Sequence, residues 1–214
     1  MRNPIRNVGD LTQFAVNRKD QLEVVRQTLY DFQTYALAGA TQFTFFAIPQ
    51  GQSSKTKADT NMQTAGSLPA PQRFAIQGIQ VYFTPSISPS AAPGAPAIDN
   101  FVNDCYEFWT GAAWLDLFIG SKSYITEALI QRFPPAARLE GFAGLSDSTT
   151  AGASGFSRTS YMTAAGRPYI IDPPILLEPN QNFNVTINYP TAVAISANAR
   201  VGVVLDGVLV RNSQ

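Results

Sequence analysis

The chain has 214 residues, enough to bury one sizeable core. Its 15 Lys and Arg balance 15 Asp and Glu, so no net field draws it toward nucleic acid or an anionic membrane. With no histidine and a lone cysteine, Cys105, it lacks the commonest general base, the His-based catalytic triads, intrachain disulfides and cysteine-rich metal sites.

The first segment, MRNPIRNVGDLTQFAVNRKD, carries no secretory core, and no later run is long and apolar enough to span a bilayer. The expectation is a chain made in, or delivered from, the cytoplasm without its own export address. Arg2, Arg6, Arg18, Lys19 and Arg26 are offset by Asp10, Asp20 and Glu23, too dilute a pattern for a genome-binding arm. From about Arg18 to Leu37, Leu22, Val25, Leu29, Phe32 and Ala36 recur at three- and four-residue intervals. Asn17 is a candidate N-cap and Gly39 a natural stop, so the spacing predicts a helix.

Everything after that is punctuated like a β protein. TQFTFFAIP (41–49) reads as an aromatic strand closed by Pro49, and residues 50–71 as a long exposed loop, of a length expected of a functional or interface loop. In RFAIQGIQVYFTPS (73–86), Phe74 and Ile76 share one face, but Ile79, Val81 and Phe83 are displaced by one residue. A β-bulge near Gln77-Gly78 restores all five to one side. SISPSAAPGAPAID (86–99) cannot hold a ladder.

Three strands are expected over about 105–110, 113–119 and 122–131, and LSDSTTAGASGFSRTSYMTAAG (145–166) reads as a small-residue loop. The closing strands fall at about 168–177, 182–189 and 199–211. Phe183, Val185, Ile187 and Tyr189 alternate with Asn182, Asn184, Thr186 and Asn188, giving one buried and one amide-rich side. Pro179-Asn180 makes the turn before them, and the last element reads as a single strand kinked at Gly207.

Candidate chemistry is sparse. Asp104, Glu107, Asp116, Glu127, Glu140 and Asp172 have no spacing that pairs two of them for glycoside hydrolysis, and Gly152, Gly155 and Gly166 do not form a phosphate-cradling turn. Trp109 and Trp114, with Tyr106 and Phe108, fit core or interface packing, with sugar or base stacking as the other use. No catalytic, cofactor or metal residue is assigned, and the chain is not expected to be an enzyme. Charged residues make up 14%, against about a quarter ordinarily. Two explanations stay open: a surface covered by neighbours in an assembly, and an uncharged extracellular domain.

The strand count is about eight, the number of a two-sheet jelly roll. The N-terminal arm and helix, the eight strands over 41–211, and the segments IGSKSYITEALIQRFPP, ILLEPNQNFNVTINYP and VVLDGVLVRNSQ resemble the single jelly-roll capsid proteins of icosahedral, bacteriophage-type viruses. The resemblance implies residues 1–40 as arm and helix and 41–214 as one jelly-roll domain. It also implies a shell subunit in the virion that associates as trimers or pentamers and with other virion proteins. The absence of a polybasic arm argues against direct genome contact. The other candidate role is a cement or decoration protein, or a trimeric receptor- or glycan-binding sandwich.

Overall fold

The computed structural model describes residues 22–86, 100–135, 137–146, 156–165 and 168–212. Its first element, β1 (Leu22–Tyr35), is a strand where the spacing predicts a helix. It pairs antiparallel with the last, β10 (Ala199–Asn212), from Leu22 opposite Asn212 to Tyr35 opposite Ala199. Leu29, Asp31 and Tyr35 turn inward, while Val24, Phe32 and the residues between alternate outward. Apolar residues on both faces of the strand imitate a helical period. Residues 22–35 therefore belong to the sandwich rather than to an arm preceding it.

The first sheet has the order β1-β10-β3-β8, with β3 at Arg73–Thr84 and β8 at Tyr169–Leu177. The second is β2-β9-β4-β5, made of Gln42–Phe45, Phe183–Asn188, Trp114–Ile119 and Lys122–Leu129. All pairings are antiparallel, and the result is an all-β sandwich. Strand alternation fills the space between the sheets. Phe43 and Phe45, Leu115, Leu117 and Ile119, and Phe183, Val185 and Ile187 from the second sheet share a core with Phe74, Ile76, Ile79, Val81, Val201, Val203 and Leu205. Each such side chain contributes about 1.5–3 kcal/mol on burial.

The expected bulge is present. Asp206 faces Gly78 and Gly207 faces Ile76, which leaves Gln77 unopposed and keeps Phe74, Ile76, Ile79 and Val81 in the core. The last strand is continuous through Gly207, as expected. Asn180 turns the chain between β8 and β9 with φ 57°.

Two further expectations are corrected. Residues 105–110 are not a strand but the end of a helix, α1 (Asn100–Thr110). Asp104 and Phe108, one turn apart, are buried, while Tyr106 and Glu107 are exposed. Phe108 enters an aromatic cluster, stacked on Phe83 at 4.2 Å and edge-on to Tyr35 at 5.8 Å, and this fastens the helix to one end of the core. Much of the expected loop over 145–166 is paired: β6 (Ala137–Ser146) and β7 (Phe156–Ala165) form a separate two-stranded antiparallel ribbon. A ribbon satisfies its backbone by local pairing, without the apolar alternation that marks a core strand. Residues 147–155, with Gly152 and Gly155, and also Gly166, lie outside the described residues, as does most of 86–99.

Candidate functional site

A sandwich of two open sheets has four edges, here β1, β8, β2 and β5, and each is blunted differently. β2 is only four residues long. β8 carries Pro173 and Pro174, which have no N–H to offer. The pairing of β5 with β4 slips at two places, and Glu127 sits at φ 49°.

The β1 edge is covered over Thr28–Phe32 by residues 59–61 of the loop expected over 50–71, much of which is exposed as expected. The Phe32 N–H donates to the Asp59 carbonyl at 2.7 Å, and Asp31 and Thr60 form an antiparallel bridge. Asn61 then prolongs the ladder with its side chain. Its Oδ1 accepts the Tyr30 N–H at 3.0 Å and its Nδ2 donates to the Thr28 carbonyl at 2.7 Å. Tyr30 Oη donates to the Lys57 carbonyl at 2.5 Å, and Arg200 binds Asp59 at 3.1 Å.

A buried ion pair pins this strap from the core side. Asp31 is fully buried; its Oδ1 is paired with Lys55 Nζ, and its Oδ2 accepts the Phe46 N–H at 2.6 Å. Burial raises the Asp31 carboxyl above the ordinary carboxylate value, while Lys55 and the Phe46 N–H pull it back. Asp59 moves the other way, lowered chiefly by the Thr56 N–H at 3.0 Å.

The five of the six carboxylates whose side chains are described do not converge on a common site. Asp104 is bonded to the Ser196 N–H at 2.7 Å and to its hydroxyl at 2.6 Å. Glu107 is exposed on α1, and Asp172 lines an open groove of about 400 Å³ with Arg26, Asp206 and Ile170. The Glu140 side chain lies outside the described residues. Asp116 does meet Glu127, but through the Glu127 backbone N–H, 2.5 Å from Asp116 Oδ1. Among the described residues no three His, Cys, Asp or Glu side chains converge as metal ligands. Among the same residues no helix is long and apolar enough to cross a membrane.

The two tryptophans do not share a platform. Trp109 packs beside the core, edge-on to Phe108 at 5.2 Å. Trp114 points the other way, because the alternation on β4 sends Leu115, Leu117 and Ile119 inward and Trp114, Asp116 and Phe118 outward. The outer face of the second sheet then carries a polar network that spacing alone does not reveal. Gln42 Nε2 donates to Asn188 Oδ1 at 2.9 Å. Asn188 Nδ2 donates to Asp116 Oδ2 at 3.0 Å and to Thr186 Oγ1 at 3.2 Å. The alternating asparagines of 182–188 were the visible signal; the register that sets Asn188 opposite both Gln42 and Trp114 is tertiary.

No family model matches the chain, and no curated protein or solved structure matches it.

Proposed function

We propose that this chain is a jelly-roll structural subunit that self-assembles into the shell of an icosahedral virus particle. The observation that carries the proposal is the strand order. The chain crosses from one sheet to the other on passing from β1 to β2, β2 to β3 and β3 to β4, and again over β5, β8, β9 and β10. We read the resulting sheets, β1-β10-β3-β8 and β2-β9-β4-β5 with the first and last strands paired, as two Greek keys wrapped together. The low charged fraction fits a subunit whose flanks meet copies of itself. On this reading the protein resides in the virion as a trimer or pentamer and takes no cofactor.

The resemblance places intersubunit contacts in the segment before the sandwich. Because Leu22–Tyr35 is an integral strand, a test deletion must stop short of Leu22. Removal of residues 1–21 is expected to leave a folded sandwich that no longer assembles, read by circular dichroism, native mass measurement and negative-stain imaging. Unchanged assembly refutes the arm's role. A full chain that stays monomeric at every concentration refutes the shell subunit, and attachment only to a shell made by another chain favours a decoration protein.

A further inference from the structure

The outer face of the second sheet is organised for more than covering a core. Along β4, Trp114, Asp116 and Phe118 point the same way, so two partly exposed rings flank one carboxylate. With about 3.4 Å per residue, their positions stand about 14 Å apart along the strand. Beside that line run Asn188, Thr186 and Asn184 of β9, directly opposite Trp114, Asp116 and Phe118, and beyond them Gln42 and Thr44 of β2.

The polar side chains are held before any ligand arrives. Asp116 has both oxygens engaged, one by the Glu127 N–H and one by Asn188, and Asn188 in turn receives Gln42. Gln42 keeps one N–H and its carbonyl, while Asn188, both of whose N–H groups go to Asp116 and Thr186, keeps one acceptor lone pair. Gln42 and Thr44 are exposed.

Charge selects the occupant. On β2, β9 and β4 the face holds no Lys or Arg, and its one carboxylate is already satisfied within the sheet. These three strands complement an uncharged ligand rather than an anion. Flat rings that cover C–H faces, set beside fixed amides and hydroxyls, match the surface of a pyranose, which is apolar on its faces and hydroxylated at its rim. We infer that this face is a binding platform for an extended neutral oligosaccharide, with Trp114 and Phe118 as stacking surfaces and Gln42 and Asn188 as hydroxyl partners. The platform does not depend on the shell proposal.

The test uses the full chain in a Trp109→Phe background, so that Trp114 is the sole indole, titrated with cellotetraose and triacetylchitotriose. A saturable change in Trp114 emission with either probe is expected. Gln42→Ala, an exposed change that leaves the core alone, and Asn188→Ala are each expected to weaken it about 10-fold. Circular dichroism checks that each variant is folded. The proposal is overturned if neither probe changes the emission, if Gln42→Ala binds as well as its parent, or if only an oligodeoxythymidine produces the change. Saccharide binding by a chain that never assembles would retain the platform and remove the shell.

Discussion

Phe32 lies directly over Gly202, its cross-strand partner on β10, and a Cβ built on that glycine would overlap the ring. Arg200 adds its guanidinium 4.4 Å from the ring centroid, and Tyr30 and Tyr82 flank it at 6.2 and 6.1 Å. The glycine keeps the ring flat on the sheet. Gly202→Ala is expected to lower stability by about 1–3 kcal/mol in urea unfolding. Gly202→Ala combined with Phe32→Ala should cost less than the sum of the two single changes, because the clash exists only when both groups are present.

Gln77 is the extra residue of the bulge, so deleting it should be tolerated. Without it Phe74, Ile76, Ile79, Val81 and Phe83 fall into regular alternation, all facing the core. Deleting Gln80 instead must send either Ile79 or the pair Val81 and Phe83 to the outer face, a loss of about 2–3 kcal/mol or more. Thermal unfolding of the two deletions distinguishes them. Equal melting temperatures would contradict the bulge assignment.

The strap gives the acid limb of the stability curve two opposed contributions. Asp31 is raised in the folded state, so its contribution is fully present below the ordinary value of 3.8 and declines as pH rises through the folded value. Asp59 is lowered, so its contribution is present above 3.8 and is lost as pH falls. Asp59 is partly exposed, and solvent screening makes its share the smaller. In Asp31→Asn the decline with rising pH should vanish and the Asp59 slope should remain, as measured by urea unfolding from pH 3 to 7. At neutral pH the variant should be less stable than wild type, because Lys55 is left without its carboxylate.

Cys105 should be a slow nucleophile. Burial, and the nearby Asp104 charge, push its thiol up to about 11. Alkylation by iodoacetamide near pH 8 should therefore run about 100-fold slower than for a free thiol and recover on denaturation. Labelling at the free-thiol rate in the native protein would contradict this environment.

The regular strands were legible because period-two alternation is a local property: β3 with its bulge, β9 and the unbroken β10 all lie close to where the pattern puts them. β1 was not, since Phe32, apolar on the outer face, completes a false helical stripe with the inward Val25 and Leu29. Its enrichment in Val, Thr, Tyr and Phe was the available signal of a strand. The helix α1 was misjudged for the converse reason: CYEFWT has strand-forming aromatics, but only Phe108 among them is fully buried, in a cluster drawn from both sheets. The strap and the amide network were invisible because they join residues far apart in the chain. Asp31 meets Lys55, Asn61 meets Tyr30 and Asp116 meets Asn188, and no local window contains either of the last two pairs.

Asn61 gives the first sheet a terminus that cannot be copied. A wandering strand that reaches β1 at this level finds the Tyr30 N–H and the Thr28 carbonyl already taken by a side chain, which presents no main-chain rung of its own for a next arrival. Templated addition of a strand is blocked at this level of the edge. Contacts between molecules are left to side-chain recognition rather than to the indiscriminate stickiness of bare backbone.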